Sequence, residues 1–329
     1  MMKLRHLFGN EALAQMLLGN WAHDEDSTNM FKYFRISSNV IYPFTAGGET
    51  HFLRFAPAPE KDLNNVVAEI EFLDYLKKMQ YPAVEAIDSK NRRKLELVQT
   101  PWGEYISTAF KGVPGIPLNE TILDDDIVFG YGKALGRLHK LSVDYLPLKH
   151  KRWSWKEVLD WCCVIISDFP GEEAALLEVK LLRRYLSGLA VTNDNYGLVH
   201  YDFETDNVYF DKLTEGYHVI DFDDAMYHWF AMDIDQALDS LQDDMEQENC
   251  NQAKVCFISG YRSEWEISDE TLSLLPVFRR FAKLYSYTRI RRSMSEAWHN
   301  EPEWMLKLRS RLDKAIKSRS SDFGKAINL

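Results

Sequence analysis

Aromatic and β-branched positions crowd the first third of the chain. Phe31 to Ser37 (FKYFRIS), Val40 to Thr45 (VIYPFT) and Thr50 to Ala56 (THFLRFA) predict strands, and Ala46-Gly47-Gly48-Glu49 predicts the turn that makes a hairpin of the last two. The period then changes. Leu63, Val66, Val67, Ile70, Leu73 and Leu76 recur at three- and four-residue steps, which predicts a helix from about Glu60 to Met79, stopped by Pro82. Leu95 to Thr100 and Glu104 to Ala109 predict two further strands on either side of Pro101-Trp102-Gly103. Phe110 to Glu120 carries two glycines and two prolines and reads as a connector. Beyond it the pattern is helical over 122–141, 153–168, 171–188, 228–241, 243–261, 267–295 and 302–318, with a strand–loop–strand–strand insert between Tyr196 and Asp223. A β-rich lobe, a hinge and a larger helical lobe follow from this order, with no internal repeat.

Composition narrows the partners. The 329 residues suit about two domains or one body with an attached lobe. Hydrophobic residues at 46% and charged residues at 27% exclude a disordered chain, and the net charge of −11 argues against a nucleic-acid binder. The basic stretch from Leu306 onward reads as a solvated helix face. No 18 apolar residues run together, so no membrane partner is expected. The start, MMKLRHLFGNEALAQ, meets Gly9, Asn10 and Glu11 before any long apolar run, so no signal peptide is expected. Four cysteines without disulfide or zinc spacing predict a reduced, cytoplasmic setting.

The chemistry concentrates in LVHYDFETDNVYFDKLTEGYHVIDFDD, Leu198 to Asp224. Leu198-Val199 and Val219-Ile220 are buried-strand anchors, so the polar residues after them emerge together at one sheet edge. His200, Asp202 and Asn207 follow the first anchor and Asp221 follows the second. Moving a γ-phosphoryl group needs a carboxylate to accept the nucleophile's proton and oxygen ligands to hold Mg²⁺ on phosphate oxygens. One carboxylate, an amide five residues later and a second carboxylate after the next hairpin supply those parts.

With HYDFETDN and IDFDD the chain resembles the aminoglycoside phosphotransferase and choline kinase superfamily, small-molecule kinases with a protein-kinase-like fold. The resemblance implies an α+β, two-lobed architecture: a nucleotide-binding lobe over 1–109, a hinge over 110–120 and a helical lobe over 121–329 carrying the catalytic loop. It implies Asp202 as catalytic base, His200 as the buttress of its loop, and Asn207 and Asp221 as metal ligands. In the small lobe, Ser38 and Asn39 lie in the turn where kinases cover the phosphates, a turn that here lacks glycine. Arg54, in HFLRF, stands where a lysine often contacts the α- and β-phosphates. Glu69 on the following helix is its expected partner, with Glu71 as the more exposed alternative. His139 in LGRLH reads as structural. Asp233 resembles an aspartate that holds the catalytic loop from below, and helix capping is a second reading of it.

The implied cofactors are ATP, with GTP left open, and Mg²⁺; the implied partner is a small-molecule hydroxyl acceptor, and oligomeric state is not indicated. The acidic run from Asp223 to Glu248 reads as a field for a cationic acceptor or as a solvated face, and Asp224 is its candidate substrate contact. Tyr227, Trp229, Tyr285 and Tyr287 read as core or as aromatics that cap a cation. Two other classes remain. One is an inactive nucleotide-binding scaffold or coat component, against which the intact Asp202, Asn207 and Asp221 argue. The other is a kinase with a protein acceptor, against which the missing activation segment argues, because Asp221 runs directly into an apparent helix.

Overall fold

In the computed structural model, which describes residues 1–327, a short helix, α1 (Glu11–Leu18), precedes an antiparallel sheet. Its strands are β1 (Arg35–Ile36), β2 (Val40–Ala46), β3 (Glu49–Pro57), β4 (Leu95–Thr100) and β5 (Gly103–Lys111), in the spatial order β1-β2-β3-β5-β4. Gly47 and Gly48 take φ of 61° and 79° and close the β2–β3 hairpin, where a side chain would be strained. Strand alternation separates two faces. Tyr42, Phe44, Leu53 and Phe55 form a core with Leu13, Leu17 and Trp21, while Ile41, Pro43, Phe52 and Arg54 line a cavity on the other side. The helix α2 (Leu63–Lys78) is capped by Asp62 Oδ1, which accepts the Asn64 N–H at 2.8 Å. Its Phe72, Leu73 and Leu76 join a second, larger core.

The elements of the lobe around that core are β6 (Ile116–Pro117), α3 (Asp125–Asp144), α4 (Trp155–Ser167), α5 (Glu173–Ser187), β7 (Tyr196–Val199), β8 (Val208–Asp211), β9 (Gly216–Val219), β10 (Met226–Trp229), α6 (Ala231–Asp244), α7 (Cys250–Arg262), α8 (Asp269–Leu272), α9 (Leu275–Ser293) and α10 (Glu303–Arg319). Here β7 pairs with β10, and β6, β8 and β9 make a three-stranded sheet. Helices α3 and α7 cross where Gly132 faces the Phe257 carbonyl and Gly260 faces the Phe129 carbonyl, each too close for a Cβ. No helix among the described residues is long and apolar enough to cross a membrane.

Several predicted elements change. The run Phe31 to Ser37 is mostly not a strand: Ser27–Tyr33 forms 3₁₀ turns, and only Arg35–Ile36 is extended. Ser27 Oγ donates to the Thr45 carbonyl at 2.7 Å and Phe31 packs edge-on against Tyr42, which folds the segment over the sheet. The segment 228–241 begins as strand, because His228 and Trp229 pair with Gly197 and Tyr196 across β7. Asp221 therefore enters a 3₁₀ turn (Phe222–Asp224) and then β10 before any helix. The segment 267–295 splits into α8 and α9, with Pro276 in the first turn of α9. The segment 243–261 shortens to α7. Helix α1 is not anticipated by a strand-dominated reading; Asn10 Oδ1 caps it through the Leu13 N–H at 3.0 Å.

Candidate active site

The register of one hairpin brings the catalytic stretch together. Val208 pairs with Val219, and the Ile220 N–H donates to the Asn207 carbonyl at 3.0 Å. Asn207 just before β8 and Asp221 just after β9 therefore lie at the same end. Strand β7 delivers His200, Tyr201 and Asp202 beside them. Tyr201 and Asp221 both have left-handed backbones, φ 71° and 62°, a conformation costing on the order of 1 kcal/mol or more for a side-chain-bearing residue.

Asp233, fully buried on α6, holds the loop in that shape. Its Oδ2 accepts the His200 N–H at 2.7 Å and its Oδ1 accepts the Tyr201 N–H at 2.6 Å. His139 Nε2 reaches the same carboxylate at 3.0 Å, and Tyr261 Oη donates to His139 Nδ1 at 2.8 Å. His200 Nε2 donates to the Ile220 carbonyl at 2.8 Å, which leaves Nδ1 to accept the Asp202 N–H at 3.2 Å. Burial lowers the pKa of both histidines and keeps them neutral, as these bonds require. His200 thus ties the Asp202 loop to the strand end that carries Asp221.

Asn207 Nδ2 donates to the Asp202 backbone carbonyl at 3.0 Å and to its Oδ2 at 3.1 Å. Burial, then the charges of Glu204, Asp224 and Asp221, raise the Asp202 carboxyl well above its ordinary pKa, with Arg289 opposing. A carboxylate so destabilised is a strengthened base. Asp221 is pushed up to about 6, by burial first and Asp223 second, with Arg54 opposing. The Asn207 amide nitrogen is committed to Asp202, which leaves its oxygen as the candidate metal donor, with Asp221 at the same end of the hairpin. Two hard oxygen donors fit Mg²⁺, which keeps water and phosphate oxygens in its remaining positions. Among the described residues no three His, Cys, Asp or Glu side chains form a metal cluster.

Arg54 and Glu69 make a buried two-pronged pair, at 2.8 and 2.7 Å, and the guanidinium also lies 4.6 Å from the Phe110 ring centroid. Burial acts against the arginine's charge, but Glu69 outweighs it and raises the pKa further. The alternative, Glu71, instead faces the backbone N–H groups of Lys149 and His150 at 3.4 Å. Arg54, Glu69 and Asp221 help line a cavity of about 410 Å³ whose other walls include Ile41, Phe52, Val84, Phe110 and Ile220.

Ser38 and Asn39 face elsewhere. Asn39 Nδ2 donates to Asp223 Oδ2 at 3.0 Å, and Arg289 donates to Ser38 Oγ at 2.6 Å. Asp223 also takes Lys61 at 2.6 Å; burial acts to raise its pKa, but Lys61 and then Arg54 hold it well below the carboxylate range. Asp224 Oδ2 is paired with Arg289 at 2.5 Å, which offsets the negative charge this residue would offer a cationic acceptor. Ser38, Lys61, Arg152, Trp161, Asp223, Asp224, Tyr285 and Arg289 belong to the lining of a second cavity of about 460 Å³. Sequence reasoning missed Lys61, Arg152 and Arg289. The available signal was Tyr285 and Arg289 four apart on α9, where the guanidinium sits 5.2 Å from the ring centroid. Of the other aromatics, Tyr227 has Lys151 over its ring at 4.4 Å, Trp229 is buried in the core and Tyr287 hydrogen-bonds Glu172.

The profile of the phosphotransferase enzyme family (APH) matches residues 36–255, from the sheet into the first half of α7. The chain belongs to this family. It is an α+β protein with a protein-kinase-like fold and a phosphotransferase. It is similar to the amicoumacin kinase of Bacillus subtilis (strain 168), 23% identical over 274 residues, covering 79% of this chain and 80% of that one. Among solved structures it resembles an amicoumacin kinase in complex with AMP-PNP, Ca²⁺ and Ami, at TM-score 0.76 and 20% identity over 95% of this chain and 94% of the other. A microcompartment-associated aminopropanol kinase superposes at TM-score 0.70 with 21% identity over the same shares. The choline kinase of Streptococcus pneumoniae superposes at 0.58 with 13% identity, covering 93% of this chain and 99% of that one.

Proposed function

We propose that this phosphotransferase is an ATP- and Mg²⁺-dependent kinase of a small hydroxyl-bearing molecule. The observation that carries the reading is the convergence of Asp202, Asn207 and Asp221 at one end of the β8–β9 hairpin. Asp202 accepts the acceptor's hydroxyl proton. The acceptor oxygen forms a bond to the γ-phosphorus, and the bond from that phosphorus to the β–γ bridging oxygen breaks, leaving ADP and the phosphorylated acceptor. Asn207 and Asp221 would hold Mg²⁺, which when bound neutralises phosphate charge. Arg54, steadied by Glu69, contacts the α- and β-phosphates, and the apolar cavity walls take the base. His200 keeps the Asp202 loop in register and touches no substrate. In this reading residues 1–109 bind nucleotide, 110–120 form the hinge and the remainder binds the acceptor beside Asp224.

Relatives named for amicoumacin, aminopropanol and choline support an acceptor of metabolite or antibiotic size. The test is a screen of hydroxylated metabolites, amino alcohols and aminoglycosides for acceptor-dependent ADP release, with ATP and GTP in parallel. Asp202→Asn is expected to bind nucleotide normally and turn over about 10²- to 10⁴-fold more slowly. Full turnover by that variant would remove the base assignment.

A further inference from the structure

The guanidinium of Arg289 is held from three sides. Nη1 lies 2.5 Å from Asp224 Oδ2, Nη2 lies 2.6 Å from Ser38 Oγ, and the group sits over the Tyr285 ring. The carboxylate and the ring orient it. The Ser38 hydroxyl is the odd partner, a neutral acceptor for a mostly buried cation, where a phosphate oxygen would bind with roughly twice the strength and match the guanidinium fork.

Its place in the fold gives that mismatch a direction. Ser38 lies in the turn between β1 and β2, and the next residue, Asn39, is bonded to Asp223. Asp224 follows the metal-ligand candidate Asp221 by three residues, and the arginine's charge opposes the raised pKa of Asp202. Arg289 therefore stands where the turn, the base and the strand end of Asp221 meet. Of its neighbours, Lys61 is on Asp223 and Arg152 donates to the carbonyls of Asn65, Asp223 and Ala225.

We propose that Arg289 binds the γ-phosphate of the nucleotide, exchanging Ser38 Oγ for a phosphate oxygen while Asp224 and Tyr285 keep the guanidinium aimed. This rests on the kinase reading above. The residue comes from α9, 251 positions from Ser38 along the chain and outside the segment matched by the family profile.

Calorimetric titration with AMP-PNP and with ADP, each with Mg²⁺, tests it on the wild type, Arg289→Ala and Arg289→Lys without needing the acceptor. Loss of one charged hydrogen-bonding group is expected to weaken AMP-PNP binding by about 10- to 100-fold in Arg289→Ala and leave ADP binding unchanged. Arg289→Lys, which keeps the charge without the fork, is expected to lose less, again for AMP-PNP alone. If Arg289→Ala does not fold, Arg289→Lys decides. An equal loss for both nucleotides, or no loss for either, overturns the assignment. Failure of the wild type to bind either nucleotide overturns the kinase reading itself, and this inference with it.

Discussion

The Arg54 guanidinium and the Glu69 carboxylate lie in parallel, Nη1 to Oε1 at 2.8 Å and Nη2 to Oε2 at 2.7 Å, and join β3 to α2 through a buried ion pair. Removing one partner leaves the other's charge buried without compensation. Glu69→Ala is expected to cost about 3–5 kcal/mol in urea unfolding, and the double variant Arg54→Met/Glu69→Leu to cost less. Equal losses in the two proteins would mean that the pair contributes through packing and not through charge.

Asp233 accepts two backbone N–H groups and one imidazole N–H. Asp233→Ala strands these buried donors, at about 1–3 kcal/mol for each. Asp233→Asn keeps one acceptor oxygen and is expected to lose less. Because the freed loop carries Asp202, kcat should fall further than nucleotide affinity in either variant, which steady-state kinetics and calorimetry together measure.

A methyl group at Gly260 would run into the Phe129 carbonyl on α3. Gly260→Ala gains helix propensity yet is expected to destabilise the protein by about 1–3 kcal/mol in thermal or urea unfolding, because α3 and α7 must move apart. A neutral or stabilising result would show that the crossing yields easily.

His228 is fully buried, its Nδ1 accepts the Trp229 N–H at 3.0 Å, and burial lowers its pKa to about 3. The folded pKa is depressed, so its contribution is complete above the unfolded value of 6.5 and is lost as pH falls from there towards 3. Between pH 6.5 and pH 5 this one group should remove about 2 kcal/mol. His228→Asn, whose Oδ1 replaces the acceptor, is expected to flatten that part of the stability–pH curve. An unchanged slope would assign acid sensitivity to other groups, such as His139 and His200.

Much of the site could be read from the chain because it is local. Asp202, Asn207 and Asp221 fall within one loop and one hairpin, so strand register alone brings them to the same end. Arg54 and Glu69 come from neighbouring elements, and the choice of Glu69 over Glu71 followed from the helical step of Val66 and Leu73. The Phe31–Ser37 strand and the 228–241 helix were misread for the opposite reason. Phe31 answers to Tyr42, and His228 answers to Gly197, partners that no local window contains. Ser38 and Asn39 lie between β1 and β2, and the carboxylates and guanidinium around them decide where their side chains point.

The order of residues by itself determined that a β-rich segment precedes a helical one and that two carboxylates and an amide, Asp202, Asp221 and Asn207, fall in one loop and the hairpin after it, because backbone periodicity and register act over a few residues. The packing of α9 against the rest decided that Arg289 meets Asp224 and Ser38, and with it the charge balance of the second cavity. Guanidinium pairing is set by distance in space, and no periodicity in the chain encodes which distant carboxylate a folded helix will face.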